Sequence, residues 1–329
     1  MSREISPPFA SVIIPTYNRK DSLRLTLDSL AHQTYAADHF EVIVVDDGGS
    51  DDTASVMPKR PLFALRYVRQ QNQGAAAARN RGAVEARGEI LIFLDDDIRV
   101  VPEFIEAMVA ALDAPQPTVA VGSLQPPEWE KSHPFRDRYA RLTASAPEEE
   151  IAFVDCLSGI FAVGREDFWR IGGMQDVAGD GRTAWGDVDF GYRAQRLGYR
   201  FRRAVQAMGR HDDRAISDLA TYCQVQEQAS QQAVILFEKY PDLSHQIPMF
   251  RDKTPIDWRE DALPLILRKL ARQALSSPPA MGFMQSAVLH LERHAPSSRA
   301  LDLLYRWIIS GCIYRGYRRG LHGRQGDGS

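Results

Sequence analysis

Three carboxylates stand side by side at Asp95, Asp96 and Asp97, directly behind the apolar run Ile90-Leu91-Ile92-Phe93-Leu94. Adjacent carboxylates repel one another. At neutral pH they persist only when solvated, protonated or neutralised by a cation. Oxygen ligands suit Mg2+ or Mn2+, and such ions usually keep substrate phosphates among their ligands. Two readings stand on these residues alone. One is a metal–diphosphate site at a strand end. The other is a solvated acidic turn ahead of a helix started by Pro102, whose N-terminus carboxylates would suit.

Other groups able to do chemistry sit in comparable places. Asp46 and Asp47 follow the apolar run Phe40 to Val45 and open a turn-rich acidic loop reaching Thr53. Thr16, Tyr17, Asn18 and Arg19 follow Ser11 to Pro15. Arg79 lies in an Ala-rich stretch; a guanidinium there can pair with a phosphate or carboxylate, or be a surface helical arginine. Asp187 and Asp189 fall in the first turn of a helix predicted over Gly186 to Leu197, where carboxylates also stabilise a helix N-terminus.

These residues need elements to hold them. Short apolar runs at Ser11–Pro15, Phe40–Val45, Leu65–Val68, Glu89–Leu94 and Val119–Val121 read as buried strands. Helical patterns alternate with them: from Asp21 (with Leu23, Leu27 and Leu30 on one face), over Ala75–Ala86, and over Pro102–Leu112. Alternation of this kind predicts an α/β fold, a mostly parallel sheet with flanking helices. Polar loops directly after the strands would meet in a crevice over the carboxyl edge of the sheet. A Rossmann dehydrogenase is excluded, because the first strand-to-helix turn, Pro15 to Arg19, has no glycine. No Walker-type Gly-Lys-Ser/Thr occurs either.

Residues 123–150 mix proline, charge and aromatics, which predicts a long loop or short helices over the crevice. Phe153–Val163 reads as a strand, Phe168–Met174 as a short helix broken by Gly172 and Gly173, and Tyr199–Val205 as a strand leading to His211. From Ser217 the pattern is helical: Leu219–Tyr240, Ile256–Leu275, Ala280–His294 and Ser298–Arg319, punctuated by prolines. The division expected is a catalytic domain over 1–216, with a donor half 1–120 and an acceptor half 121–216, followed by a helical extension over 217–329.

Hydrophobic residues at 44%, charged residues at 25% and a net charge of −3 describe an ordinary globular chain and disfavour a nucleic-acid binder. Three widely spaced cysteines give neither a disulfide framework nor a zinc site. With no signal-like segment and no long apolar run, a cytoplasmic location is expected, with the inner membrane face as its peripheral variant.

Taken together, five motifs resemble those of the family 2 glycosyltransferases of the GT-A fold, across about residues 9–215. They are Ser-Val-Ile-Ile-Pro-Thr-Tyr-Asn-Arg at 11–19, Val-Ile-Val-Val-Asp-Asp-Gly-Gly-Ser-Asp-Asp-Thr at 42–53, Asn-Gln-Gly-Ala-Ala-Ala-Ala-Arg-Asn-Arg-Gly at 72–82, Phe-Leu-Asp-Asp-Asp at 93–97, and Ala-Trp-Gly-Asp-Val-Asp-Phe-Gly-Tyr-Arg at 184–193. The resemblance implies transfer of a sugar from a nucleoside diphosphate, by default a UDP-sugar, to an acceptor hydroxyl with inversion, assisted by Mn2+ or Mg2+. It implies that Pro15, Thr16 and Tyr17 line the base and ribose pocket, with Arg19 and Asp47 on the same donor side. It implies that Asp46 accepts hydrogen bonds from the base and that Arg79 lies near base or diphosphate. Asp95–Asp97 resembles the DxD motif, with Asp97 on the metal and Asp95 and Asp96 near the ribose or a metal-bound water. His211 falls where some relatives carry a metal-binding histidine. Asp187 takes the general-base position, although Gly186 replaces the Glu that many relatives have before it. Ser158 and Gly159 fall on the acceptor or donor-sugar side, as does Trp185, a sugar-stacking platform or a core or lid aromatic; Asp189 is structural or acceptor-side.

The acceptor implied is a glycan or a lipid-linked molecule. From Arg299 to Arg324 there are six arginines and one aspartate, interleaved with Leu303, Leu304, Trp307, Ile308 and Tyr314. Such a stretch suits peripheral membrane contact through 299–319, or a last helix packed on the core or on a homodimer partner. Gly311 and Gly316 argue for the packed reading, and Gly320–Ser329 reads as disordered. The alternative function is a non-catalytic GT-A-like scaffold that binds nucleotide or glycan.

Overall fold

The computed structural model describes residues 7–125, 133–143, 150–156, 159–179, 184–211 and 217–326. Two compact units emerge, one of residues 1–127 and 143–212, the other of residues 128–142 and 213–329.

The first unit is built on eight strands: β1 (Ala10–Thr16), β2 (Phe40–Asp46), β3 (Ala64–Arg69), β4 (Ile90–Leu94), β5 (Ile98–Val100), β6 (Thr118–Gln125), β7 (Ile160–Gly164) and β8 (Arg200–His211). They form one sheet in the order β3-β2-β1-β4-β7-β6-β8-β5. β1, β2 and β4 are buried along their whole length, which is why they read as continuous apolar runs. Even-numbered residues Val12, Ile14, Val42, Val44, Ile92 and Leu94 share one core with Leu23, Leu27 and Leu30 of helix α1 (Lys20–Leu30). On the other side, Phe93 stacks on Phe161 at 4.6 Å and meets Phe168 at 5.0 Å. Helix α2 (Ala75–Glu85) buries Ala78 and Ala83. Helix α3 (Phe104–Leu112) adds Phe104, Ile105 and Met108 to the first core.

The α/β architecture expected, a sheet with flanking helices, is the one found, and the sheet is mixed. β3, β2, β1 and β4 run parallel, and so do β6 and β8; β7 is antiparallel to both neighbours and β5 is antiparallel to β8. β5 buries Ile98 and Val100 but is only three residues long, too short to show a period, and the second half of β8 is read by its pairing. Between Gly122 and Ser123 the β6–β8 register jumps, so that Gly122 faces Ala204 but Ser123 faces Met208. The extra residues in β8 form a bulge that bends the strand. Its last residues then also pair with β5, placing His211 opposite Ile98.

The strand expected over Phe153–Val163 is shorter. Phe153–Asp155 is a 3-10 turn, and only Ile160–Gly164 pairs. Helices α4 (Pro134–Thr143), α5 (Arg165–Ile171) and α6 (Gly186–Arg196) follow in order; α4 groups with the second unit. The rest of the loop expected at 123–150 lies largely outside the described residues.

The second unit adds α7 (Leu219–Lys239), α8 (Leu243–Gln246), α9 (Leu263–Leu275), α10 (Pro278–His294) and α11 (Arg299–Gly326). The helix expected from Ile256 starts only at Leu263, with a proline in its first turn. Gly320–Gly326, expected to be disordered, is helical. The glycines of α11 explain this. A Cβ on Gly316 would stand 2.1 Å from the Glu227 carbonyl oxygen, and one on Gly320 would stand 2.4 Å from that of Gln231. The missing side chains let α11 lie against α7, and tertiary packing overrides the weak local propensity. Leu301, Tyr305, Ile308, Cys312, Ile313 and Tyr317 are buried, so the apolar side of α11 is spent on packing within this unit. None of the described helices is long and apolar enough to cross a membrane.

Candidate active site

The turn between β4 and β5 carries Asp95, Asp96 and Asp97, and the parallel strand ends deliver their partners. Thr16, the last residue of β1, donates its hydroxyl to Asp96 Oδ2 at 2.6 Å. Arg19 reaches Asp97 Oδ2 at 2.6 Å and Asp96 Oδ1 at 3.4 Å. Arg79, on α2, donates to Asp95 Oδ1 at 2.6 Å. Each carboxylate thus has its own donor, which reduces the mutual repulsion. Burial pushes Asp96 up to about 7, against the pull of Thr16 and Arg19. Burial also pulls Asp97 upward, but the adjoining His211 ring and Arg19 win and hold it below the usual carboxylate range.

Pro15, Thr16, Tyr17, Arg19, Asp47, Ala75, Ala78, Arg79, Asp95 and Asp96 line a cleft of about 320 Å³. Tyr17 is half exposed in it. Arg79 also lines a second recess, of about 50 Å³, whose wall includes Gly74, Met174, Asp176, Gly186 and Asp187. The cleft and the recess of Asp187 therefore share one arginine between them. Asp187 is half-buried, and its Oδ1 accepts from the amide of Val188 at 2.9 Å, at the first turn of α6.

Two aspartates of the second motif are fastenings. Asp47 is buried and accepts from the amides of Gln73 (2.9 Å) and Gly74 (2.8 Å) and from the Gln70 side chain (2.8 Å). It holds the start of α2 against β2. Asp46 accepts from the Gly49 amide at 2.8 Å and from Tyr67 Oη at 2.6 Å. The phenol of Tyr67 is raised to about 12 by burial and by that carboxylate. Asp46 is 2% exposed and is not among the residues lining the cleft.

Asp189 takes the structural of its two expected places. It is fully buried and bonded to Arg193 at 2.7 Å, and Arg193 in turn caps the carbonyls of Ile171 and Gly173. This is a clamp between α6 and the turn after α5, not an acceptor-facing group. Trp185 is 8% exposed, too buried to offer an open stacking face. Gly159 accepts a hydrogen bond from the amide of Asp95 at 2.9 Å, and a Cβ there would stand 2.3 Å from Asp95 Oδ2. Ser158 lies outside the described residues.

Two positioning residues carry no periodic or charge signal. Asn80 makes a paired contact with the backbone of Met174, Nδ2 to oxygen at 2.8 Å and Oδ1 from nitrogen at 2.9 Å. This ties α2 to the segment ahead of Asp187. Asn18, in the left-handed region at φ 54°, accepts from the Ser50 amide at 2.6 Å and joins the first loop to the second.

A divalent cation can be tested against the residues present. Asp97 Oδ1 is buried and lies 3.2 Å from His211 Nε2 without the alignment of a hydrogen bond. A carboxylate oxygen and an imidazole nitrogen so close form a compatible donor pair for Mn2+. Among the described residues no cluster of three protein ligands occurs. The set therefore fits a cation completed by phosphate oxygens and water rather than a closed protein cage.

Known proteins are similar to this chain in sequence and in fold. Residues 11–172 match the sequence model described as Glycosyl transferase family 2. Validoxylamine A glucosyltransferase of Streptomyces hygroscopicus subsp. jinggangensis is 31% identical over 221 residues, 56% of this chain and 51% of that protein. The chain spans about half the length of that relative. Glycosyltransferase AglE of Haloferax volcanii is 28% identical over 220 residues, 64% of this chain and 69% of that one. Among solved structures, mannosyltransferase PcManGT from Pyrobaculum calidifontis, in complex with GDP-Man and Mn2+, superposes with a TM-score of 0.56 at 21% identity, covering 96% of this chain and 89% of that one. S. aureus TarS 1-349 in complex with UDP-GlcNAc gives 0.52 at 18% identity, covering 95% and 92%. These two show the fold. Residues 11–172 belong to the family 2 glycosyltransferases.

Proposed function

We propose that this chain transfers a sugar from a nucleoside diphosphate sugar to an acceptor hydroxyl, with inversion at the anomeric carbon. The observation that supports it best is the gathering of Thr16, Arg19, Arg79, Asp95 and Asp96 around one cleft, with Asp97 held beside it by Arg19 and Arg79 also bordering the recess of Asp187. In this reading Pro15, Thr16 and Tyr17 hold the nucleoside. Arg79, whose buried Nε has no partner among the described residues, directs a guanidinium toward the diphosphate. Asp97 and His211 would hold Mn2+ or Mg2+, which when bound supplies positive charge against the departing diphosphate.

Asp187 takes the proton from the acceptor hydroxyl as that oxygen attacks the anomeric carbon and the bond to the diphosphate breaks. A single displacement of this kind inverts the centre. Asp95, held by Arg79 and by the amide contact with Gly159, keeps the arginine from swinging out of the cleft. The donor base is left open between uridine and guanosine, since similar folds carry UDP-GlcNAc and GDP-Man. The acceptor is a glycan or lipid-linked hydroxyl.

Asp187→Asn separates binding from transfer. It keeps the shape and removes the basicity, so donor affinity should hold while turnover falls by at least about a hundredfold. Turnover within twofold of the unaltered enzyme would move the base to another residue.

A further inference from the structure

We propose that Cys223 and Cys312 form a redox-active dithiol, closed to a disulfide by a peroxide and reopened by a thiol reductant. Cys223 lies on α7 and Cys312 on α11, and both are buried in one cluster with Met281, Tyr305 and Ile308. The packing of the two helices sets them opposite each other. A Cβ on Gly316 would stand 2.1 Å from the carbonyl oxygen of Glu227 and 3.0 Å from its Cα, and one on Gly320 would stand 2.4 Å from the carbonyl oxygen of Gln231. Gly320 lies one turn beyond Gly316, as Gln231 lies one turn beyond Glu227, so α7 and α11 run parallel and in register. Cys312 lies one turn before Gly316, and Cys223 one turn before Glu227, on the same line of contact. At Gly316 and Glu227 the two Cα atoms are no more than about 4.5 Å apart, a separation that a disulfide readily bridges.

The surroundings favour one thiolate. Cys223 donates its S–H to Cys312, and Arg315 Nη2 lies 3.5 Å from Cys312 Sγ. That hydrogen bond, and then Arg315, hold Cys312 below the usual thiol value against the upward pull of burial. Arg315 is itself fixed by Glu227 at 3.2 Å. Cys223 is 8% exposed and Cys312 1%, so the oxidant has to be small, and hydrogen peroxide meets that need. The Cys312 thiolate attacks one peroxide oxygen and the O–O bond breaks. Cys312 becomes a sulfenic acid, and the departing hydroxide takes up the proton that the thiol had released. The Cys223 sulfur then attacks the sulfenic sulfur. The S–S bond forms, the S–O bond breaks, and the Cys223 proton leaves with the hydroxyl group as water. Two electrons pass from the thiols to the peroxide, and a dithiol reductant returns them by exchange. Cys156 belongs to the first unit, where burial and then Asp187 raise its thiol, so it keeps its proton and stays reduced.

The test exposes the full folded chain to hydrogen peroxide at neutral pH. Thiols titrated afterwards in denaturant should fall from three to one and return to three after dithiothreitol. Tryptic mass spectrometry should find the Cys223 and Cys312 peptides joined and lighter by two hydrogens, with Cys156 unmodified. Both readings need no variant. Cys223→Ala should leave Cys312 as a sulfenic acid that dimedone captures, whereas Cys312→Ala should leave Cys223 a thiol. Three thiols retained after peroxide overturn the proposal, and so does a loss that dithiothreitol does not restore. A disulfide between two chains, or one that includes Cys156, overturns it as well. Dimedone capture at Cys223 in Cys312→Ala, as strong as that at Cys312 in Cys223→Ala, contradicts the assignment of Cys312 as the attacking thiolate.

Discussion

Gly159→Ala puts the geometry of the site to a quantitative test. A Cβ at this position would stand 2.3 Å from Asp95 Oδ2, 2.8 Å from its Cγ and 3.4 Å from its Cβ. Ordinary contact needs more than 3 Å, so the carboxylate must move by roughly 1 Å. Asp95 is partly exposed and its side chain can rotate, so the fold has an easy release, and we expect global stability to change by less than about 1 kcal/mol. The Arg79–Asp95 bond at 2.6 Å has no such release. Hydrogen bonds to charged groups contribute about 1.5–3 kcal/mol, and an Arg79 freed of its carboxylate loses its orientation toward the cleft. We therefore expect affinity for a nucleoside diphosphate to fall by about tenfold or more, with the urea midpoint nearly unchanged. The assay pairs calorimetric titration with urea unfolding on the same sample. Equal affinity with an intact fold would mean that the Arg79–Asp95 pair does not organise the donor site. A large fall in stability would mean that Asp95 is fixed in the core rather than presented to the cleft.

Other perturbations separate scaffold from site. Gly316→Ala meets the Glu227 backbone oxygen at 2.1 Å, which no rotamer relieves, and overpacking there should lower stability by about 1–3 kcal/mol in denaturant unfolding. Asn80→Ala removes both bonds to Met174 and should destabilise by about 1–2 kcal/mol, read in the same assay. Asp218 caps α7 by accepting from the Thr221 amide at 2.9 Å, and Asp218→Ala should cost about 1 kcal/mol at neutral pH. That loss should fade in acid. The Thr221 contacts hold Asp218 below its ordinary value, so its contribution is present above about pH 4 and disappears as pH falls through the lowered pKa. A cap effect constant from pH 7 to pH 3 would contradict this.

The parallel half of the fold was legible because its strands are buried on both faces, and continuous apolar runs such as Val12–Ile14 and Val42–Val45 report that directly. β5 and the end of β8 were not. β5 has three residues, too few to show a period, and the end of β8 is held by pairing beyond a bulge. Glycine misled at the tail, where Gly316 and Gly320 are packing positions rather than breakers. In the site, the charged residues at strand ends were found by type and place. Which of them face the cleft was not. Asp46 and Asp189 look like their neighbours in sequence, and only their hydrogen-bond partners show them to be fastenings, while Asp47 is both fastened to α2 and part of the cleft wall. Asn80 carries a neutral amide whose partner lies 94 residues away, a separation no local pattern encodes.

The central claim is a nucleoside diphosphate site that a divalent cation completes at Asp97 and His211. Calorimetric titration with UDP, GDP, TDP and CDP, each with Mn2+ and with chelator, tests it most directly. One diphosphate should bind with Mn2+, lose at least about tenfold affinity with chelator, and lose the metal dependence in Asp97→Ala. Binding indifferent to metal, or equally metal-dependent in Asp97→Ala, would contradict the account.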